Sequence, residues 1–273
     1  MPVDPQLRNL QIDIPAKPES LVRLSLLMAE EDMNLQAATQ LIEADMALAA
    51  AVLKAVNSSL YGLRGRVQSV QQAITYLGMR EVAGITFELG LRAAFPPAAE
   101  LEPIWQRAAV RGLLMGRLAS QLSQDSWAAH SAGLFEECGK AVLFRHAAAT
   151  YRPLLRSAAS DTELSEQERA AFGVSHDALA AALCESWGVG PAAVASVRHH
   201  VPAQASGQID PALERPQVLA MSMMVQLMLD APDTLEDKIP AIATQGRIEP
   251  TLALRSVRRM QEQLQEAIKR EAA

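Results

Sequence analysis

The stretch of sequence that decides the fold is SVQQAITYLG, residues 69–78. Ser69 followed three residues later by Gln72 is a capping box, in which both side chains satisfy backbone N–H groups at the start of a helix. Apolar side chains then recur at helical spacing, at Val70, Ile74 and Leu77. Gly78 is the residue type that most readily ends a helix, because it adopts a left-handed conformation without a steric penalty. The stretch therefore predicts a helix with a defined start and end.

Helical patterns continue on both sides of this stretch. Asn34 is a good N-cap for a helix that begins at Leu35, and a second helix is expected from near Asp45. Beyond Gly78 a helix is expected near residues 80–94, and it ends before Pro96-Pro97, because proline cannot continue a helix. This proline pair is the predicted boundary between two subdomains.

The second half of the chain shows more helical patterns, and nothing in it is typical of a sheet. Helices are expected at residues 100–123, 127–137, 140–147, 165–171, 176–187 and 218–229, followed by an amphipathic last helix. A second capping box, Ser165 with Glu168, is expected to start one of them. Composition agrees, because only 4% of residues are aromatic, whereas strands are enriched in aromatic and β-branched residues.

We therefore predict an all-α protein with the following organisation. Residues 1–13 form a leader, 14–97 an N-terminal helical subdomain, 98–205 a second helical subdomain, and 206–273 a C-terminal helical extension that packs on the second subdomain.

Charge and hydropathy exclude several classes of protein. The formal charge is -6 at pH 7, so no global cationic field attracts a phosphate backbone, and we expect no nucleic-acid partner. Apolar runs are too short to span a bilayer, and residues 1–13 lack the hydrophobic core of a signal peptide. We expect a cytoplasmic protein without a membrane partner. Cys138 and Cys184 lie in apolar helical segments and are expected to be buried thiols.

Several spaced motifs resemble those of the HD-related output domain, or HDOD, family of bacterial signalling proteins. In the first half they are Asp45-x-x-Leu48, the run Asn57-Ser58-Ser59-Leu60-Tyr61-Gly62, and Ser69-x-x-x-Ala73-Ile74-x-x-Leu77-Gly78. In the second half they are Trp105, Ala132-Gly133-Leu134, Gly139-Lys140, Phe172-Gly173 with His176, Trp187-Gly188 and Arg198-His199-His200. Several motifs in register over residues 14–201 are much more specific than one short match. The resemblance implies an HDOD-like multi-helix fold, with an N-terminal helical subdomain and a degenerate HD-like helical subdomain.

The resemblance also implies kinship with HD phosphohydrolases, which hold a metal with a His, a His-Asp pair and a distant Asp. The matching positions here carry Arg107, Glu136, Glu137 and Met221. Because a guanidinium is not a normal metal ligand, we expect no HD catalysis, no metal and no cofactor. Two interpretations of the charged residues stay open: an ion pair between Arg107 and the glutamates at the old metal centre, or side chains that point to solvent.

Three histidines leave a second metal hypothesis open. In the related HD-GYP phosphodiesterases a His and a later His pair also contribute metal ligands, and His176, His199 and His200 resemble those positions. With Glu136 or Glu137 they would form a residual metal or ligand site. The simpler interpretation places His176 at the N-terminus of one helix and His199-His200 at the C-terminus of another, where these side chains suit the helix ends.

The motif formed by Asn57, Ser58, Tyr61 and Gly62 also has two interpretations. Asn and Ser side chains hydrogen bond to nearby backbone and end helices, which favours a structural corner. The alternative is a polar recognition surface for a partner.

Together these features predict a non-catalytic regulatory protein that binds other signalling proteins through its HDOD domain. The apolar face of the last helix packs on the protein's own core or serves as a docking or dimerisation face, so a homodimer stays open. Two other functions also stay open. One is a metal-dependent phosphohydrolase or cyclic-dinucleotide phosphodiesterase with an atypical ligand set; the other is a nucleotide-binding sensor that retains the old pocket.

Overall fold

A computed structural model describes residues 12–29, 34–58, 61 and 67–271. Every regular element within these residues is a helix, as the sequence predicts. Contacts divide the chain into two units. The N-terminal unit comprises Lys17–Ala94 together with the residues from Arg259 onward, and the central unit comprises Phe95–Arg258 together with the described residues before Lys17.

The N-terminal unit is organised around its fifth helix. Its helices are α1 (Glu19–Ala29), α2 (Leu35–Glu43), α3 (Met46–Val56), α4 (Val70–Leu77) and α5 (Met79–Ala93). Helices α1, α3 and α4 each pack against α5. Gly90 of α5 lies so close to α1 that a Cβ at this position would fall 2.6 Å from a methyl carbon of Leu21. The buried core of the unit includes Leu24, Ile42, Val52, Val56, Ala73, Val82 and Leu91.

Residues 69–78 form the helix that their pattern predicts. The Ser69 hydroxyl accepts a hydrogen bond from the backbone N–H of Gln72 at 3.1 Å. The Gln72 side chain accepts the backbone N–H of Gln68 at 2.8 Å, one residue earlier than in a standard capping box. Gly78 ends α4 with a φ of 84°, which favours glycine. Asn34 is likewise the N-cap of α2, as predicted, and its side chain accepts the N–H of Ala37 at 3.0 Å.

Asn57 holds the corner that follows α3. Its side-chain amide donates to the carbonyl oxygens of Leu53 at 2.9 Å and Val67 at 2.8 Å, and its carbonyl oxygen accepts the N–H of Val67 at 3.2 Å. Ser58 is exposed and Tyr61 is half-buried, whereas Gly62 lies outside the described residues. These contacts favour the structural-corner interpretation of the motif.

The central unit contains the helices that surround the candidate site. They are α6 (Glu102–Gln121), α7 (Ser126–Phe135), α8 (Cys138–Ser157), α9 (Asp161–Phe172), α10 (His176–Ser186), α11 (Pro191–Ser206), α12 (Gln217–Asp230), α13 (Leu235–Gln245) and the start of α14 (Pro250–Glu271). Helix α7 packs on α6 and α11, α10 packs on α8 and α11, and α12 packs on α6 and α11. Cys138 and Cys184 are buried in this core as free thiols, and burial raises the pKa of both.

Helix α9 starts earlier than predicted. Its N-cap is Ser160, whose hydroxyl accepts the N–H of Glu163 at 3.2 Å. The predicted capping box of Ser165 with Glu168 is wrong, because Ser165 lies inside the helix and its hydroxyl donates to the carbonyl oxygen of Thr162 at 2.9 Å. Ser160 prevails because acidic residues follow it in the first turn, where they suit the positive end of the helix dipole.

Helix α11 ends later than predicted. It runs through Pro202 to Ser206 and ends at Gly207, which has a φ of 69°. His199 and His200 therefore lie within a helix, and their predicted placement at a helix C-terminus is wrong. The left-handed conformation of Gly207, rather than the proline, stops this helix.

The N-terminus of α8 approaches the N-terminus of α10 very closely. A Cβ at Gly139 would lie 1.8 Å from the backbone carbonyl oxygen of His176, so only glycine fits at this crossing. The approach brings Glu137, two residues before the glycine, and Lys140, directly after it, towards the start of α10.

Within the described residues, no helix has the length and apolar character needed to cross a membrane.

Candidate functional site

Arg107 and Glu137 form an ion pair at the positions where the HD resemblance places metal ligands. Arg107 lies on α6, and its Nε donates to Oε1 of Glu137 at 3.1 Å. Its terminal nitrogens also reach Asp230 at the end of α12, with the closer contact at 2.8 Å. Glu137 is buried whereas Arg107 is about one-third exposed. The side chain of Arg107 is therefore held by Glu137 and Asp230, which favours the ion-pair interpretation.

Glu136 pairs with a different arginine. Its Oε2 contacts a terminal nitrogen of Arg111, and both side chains are fully buried. The same nitrogen of Arg111 donates to the hydroxyl of Ser222 on α12 at 3.1 Å. Met221, the fourth HD position, is buried in the core. Arg107 thus pairs with one of the two glutamates, and Arg111, one turn along α6, takes the other.

Lys140 lies between two carboxylates. Its Nζ is 2.7 Å from Oε2 of Glu137 and 2.7 Å from Oδ1 of Asp161, the first residue of α9. Burial lowers the pKa of Lys140, but the two carboxylates outweigh this effect and raise the pKa to about 12. Burial likewise raises the pKa of Asp161, but Lys140 and the nearby histidines bring it well below its usual value. Both groups are therefore charged at neutral pH.

The residues at the HD positions do not fit a metal of the HD type. Both carboxylate oxygens of Glu137 are taken by cations, one by Arg107 and one by Lys140. Glu136 is bound to Arg111, and the thioether of Met221 is a soft donor in place of a carboxylate. These four positions therefore do not provide the donor set of an HD metal centre.

His176 is oriented by a carboxylate beneath it. It begins α10, and both its ring Nδ1 and its backbone N–H contact Oε2 of Glu168 at 2.7 Å. The other oxygen of Glu168 accepts the hydroxyl of Tyr151 at 2.5 Å. Burial lowers the pKa of His176, but Glu168 outweighs burial and raises it above the ordinary value. The second ring nitrogen, Nε2, is buried and has no hydrogen-bond partner.

His200 faces His176 while His199 does not. The two rings, one on α10 and one on α11, have centroids 5.9 Å apart. Nδ1 of His200 contacts the carbonyl oxygen of Val197 at 2.7 Å. His200 and His176 each bring one ring nitrogen, and Asp161 brings one carboxylate oxygen, to within 4.8 Å of one another. Burial lowers the pKa of the half-buried His199, which lies outside this group.

The structure therefore brings together a different set of residues from the one that the sequence predicts. Of the three histidines it brings together His176 and His200, and neither glutamate joins them. Asp161 is the member that sequence reasoning missed, because a lone acidic residue behind Ser160 is ordinary for a helix start. The sequence shows Lys140 only as part of the family motif Gly139-Lys140.

A cavity of about 570 Å³ opens beside this cluster. Its polar lining includes Arg107, Glu137, Lys140, Asp161, Gln226 and Asp230. Its size falls within the range of small-molecule sites, about 300–1,000 Å³.

Comparison with known proteins identifies the domain. Residues 14–202 match the HDOD domain. A curated protein of Treponema pallidum (strain Nichols), named as uncharacterized, is 24% identical over 193 residues, which cover 69% of this chain and 37% of that protein. The chain therefore spans little more than a third of the length of this relative.

Solved structures share the fold. An HDOD domain protein of unknown function from Geobacter sulfurreducens superposes with a TM-score of 0.71 at 18% identity, covering 93% of this chain and 91% of the other. A Marinobacter aquaeolei protein provisionally assigned to signal transduction superposes with a TM-score of 0.70 at 24% sequence identity. The match covers 96% of this chain and 58% of the other. A Shewanella amazonensis protein provisionally assigned as a phosphohydrolase superposes with a TM-score of 0.67 at 17% sequence identity, and the match covers 90% of each chain.

At these identities the structural likeness shows the fold alone, which is all-α and HDOD-like. The domain match supplies the family, because it covers well over half of the chain. This protein belongs to the HDOD family.

Proposed function

We propose that this protein is a non-catalytic signalling module that acts by binding protein partners through its HDOD domain. The observation that carries the proposal is the chain of ion pairs from Asp230 through Arg107, Glu137 and Lys140 to Asp161. Of these cations, Arg107 stands at a position where the HD resemblance places a metal ligand.

The ion pairs of Glu137 oppose metal binding at this position, because a metal would have to displace them. Glu137 is buried and uses both oxygens on cations. Freeing it for a metal would break both ion pairs and leave Arg107 with Asp230 alone and Lys140 with Asp161 alone. Breaking a buried pair in this way costs about 3–5 kcal/mol. This free-energy cost favours a cluster of mutually paired charges over an HD-type catalytic centre.

Hydrolysis assays test the non-catalytic half of the proposal. Protein purified without a His tag is incubated with cyclic dinucleotides and with a phosphodiester chromogen, in the presence of Mn²⁺, Fe²⁺ or Zn²⁺. We expect no turnover above the protein-free rate. Turnover that disappears on chelation would contradict the proposal and support the phosphohydrolase alternative.

Partner binding tests the other half. Proteins cross-linked to the full chain in cells are identified, purified and titrated against it by calorimetry, with an unrelated acidic helical protein as the control. We expect at least one signalling protein to bind the chain and not the control. A chain that hydrolyses phosphodiesters and binds no such protein would overturn the proposal.

The cavity beside the cluster favours a second candidate function, a sensor that binds a nucleotide without hydrolysing it. Calorimetry against cyclic dinucleotides tests this candidate. Ala159 lines the cavity and is exposed, so Ala159→Trp fills space there without disturbing the core. Binding that is lost in this variant would support the sensor, and absence of binding to the wild type would exclude it for these ligands.

A further inference from the structure

His176 makes the carboxylate contact that metal-binding histidines usually make. Because the Glu168 carboxylate is an acceptor, Nδ1 of His176 carries the hydrogen of the 2.7 Å contact between them. When the imidazole is neutral and carries its one hydrogen on Nδ1, the lone pair of Nε2 can bind a metal ion. Metal-ligating histidines almost always donate the other ring N–H to a carboxylate or carbonyl, which fixes the ring and raises its basicity.

His200 has the same arrangement from a different element. The carbonyl oxygen of Val197, 2.7 Å away, requires a hydrogen on Nδ1 of His200. Nε2 of His200 is then the free ligand atom, as in His176. Two histidines on separate helices, each anchored through Nδ1, therefore both keep Nε2 as the nitrogen that can bind a ligand.

Asp161 supplies an oxygen to the same place. Its carboxylate, the ring of His176 and the ring of His200 present ligand atoms that all lie within 4.8 Å of one another. The ion pair with Lys140 uses Oδ1 of Asp161, and the second oxygen of the carboxylate stays available. The unpartnered, fully buried Nε2 of His176 is the independent sign that this space is built for a ligand.

From this geometry we infer that Asp161, His176 and His200 bind one zinc ion, at a site separate from the degenerate HD positions. Two imidazoles and one carboxylate form a donor set that suits Zn²⁺. Three protein ligands leave a fourth tetrahedral position for water or for an acidic group of a ligand. The site is independent of the proposed function, because a bound zinc does not require turnover.

The cationic neighbours are compatible with a divalent ion when all charges are counted. Arg107 pairs with Glu137 and Asp230, and Lys140 pairs with Glu137 and Asp161. Together with Glu168, these carboxylates exceed the two cations by two negative charges, which match the two positive charges of zinc. Lys140 then acts as a positioning residue, because it fixes one oxygen of Asp161 and leaves the other for the metal.

Metal titration tests the inference. Tag-free protein is stripped with a chelator and dialysed against Zn²⁺ alone, and the metal content is measured by mass spectrometry. We expect one zinc per chain and a rise in Tm. The d–d absorption of Co²⁺ in place of zinc provides a spectroscopic readout of the ligand set. A metal-free wild type under these conditions would overturn the inference.

Matched variants assign the ligands. His200→Gln and Asp161→Asn are each expected to weaken zinc binding by about tenfold or more, and Glu168→Gln by about 10–100-fold through loss of its orienting contact. His199→Gln is the control, since it changes the adjacent histidine outside the cluster, and it should bind zinc as the wild type does.

Circular dichroism shows whether each variant is folded. If a histidine variant does not fold, the inference is tested with Asp161→Asn, because Asp161 is the least buried of the three ligands. Equal zinc binding by His199→Gln and by folded Asp161→Asn would contradict the ligand assignment. Zinc binding without turnover would leave the proposed function intact, so the two proposals fail separately.

Discussion

Lys140 is the residue on which the charge balance of the central cluster depends. It is buried and contacts Glu137 and Asp161 at 2.7 Å each. Replacing it with methionine keeps the volume similar but leaves both carboxylates short of a cation. We expect Lys140→Met to lower the free energy of unfolding by about 3 kcal/mol, because breaking a buried ion pair leaves an uncompensated charge.

Urea denaturation followed by circular dichroism measures this loss. The control is Arg23→Met, which breaks an exposed ion pair with Glu19 on α1 and should cost less than about 1 kcal/mol. Equal costs for the two substitutions would show that the Lys140 pairs do not behave as buried ones.

Glu88 on α5 gives the N-terminal unit a pH dependence. Burial raises the pKa of Glu88 to about 7, an effect only partly opposed by Arg92. Between its ordinary pKa of 4.5 and this value, the unfolded chain loses the proton while the folded chain keeps it. The contribution of protonated Glu88 to stability is therefore full below the lower pKa and is lost as pH rises through about 7.

The variant Glu88→Gln removes this titration. We expect it to exceed the wild type in unfolding free energy by about 1–3 kcal/mol at about pH 8, and the difference to shrink as pH falls towards about 5. Denaturation curves across this range measure it, with Glu43→Gln on the exposed face of α2 as the control. A difference between Glu88→Gln and wild type that stays constant with pH would disprove the shift.

The roles of some residues can be predicted from the sequence, whereas the roles of others cannot. On α11 the buried residues Ala193, Val197, His200 and Val201 follow helical spacing, and this stripe is enough to distinguish His200 from His199 by sequence pattern alone. Arg111 is different. Its burial against Glu136 depends on how α6 meets the α7–α8 junction, which no local pattern of sequence encodes.

At the scale of the element, Asn57 joins the end of α3 to the start of the segment that leads into α4. Its three hydrogen bonds to the backbone of Leu53 and Val67 are lost together in Asn57→Ala. Partly buried backbone groups then lack partners, and we expect a loss of about 1–3 kcal/mol in unfolding free energy. Thermal denaturation measures the loss, and the exposed neighbouring variant Ser58→Ala should leave Tm nearly unchanged. A stable Asn57→Ala protein that no longer binds its partner would favour the recognition-surface interpretation.

Helix predictions succeeded where a cap and an apolar stripe agree. Residues 69–78 and the start of α2 at Asn34 carry both signals and were confirmed. Helix α1 was missed, because Pro15 and Pro18 precede it and make the segment resemble an irregular leader, although Leu21, Leu24 and Met28 lie at helical spacing. Helix α13 was missed for a similar reason, since it carries Pro240 in its interior.

At the scale of the whole molecule, the candidate site shows what separates motif recognition from site prediction. Family motifs were enough to predict the fold and to nominate His176 and His200. They did not nominate Asp161, which lies 15 residues before His176 and 39 before His200. Only the packing of α9, α10 and α11 brings the three together. Long-range assembly of this kind is set by helix crossings such as that at Gly139, and not by local spacing.

The overall charge distribution of the chain disfavours binding to nucleic acid. The chain has 31 acidic residues against 25 Lys and Arg, and Arg107, Arg111 and Lys140 are committed to ion pairs in the central unit. They are unavailable to phosphates, and the excess negative charge repels a polyanion. We expect no binding to a fluorescein-labelled DNA duplex at about 0.15 M salt, measured by anisotropy with a basic DNA-binding domain as the positive control. Binding that weakens steeply as salt is raised would instead reveal a local cationic surface strong enough to overcome the net charge.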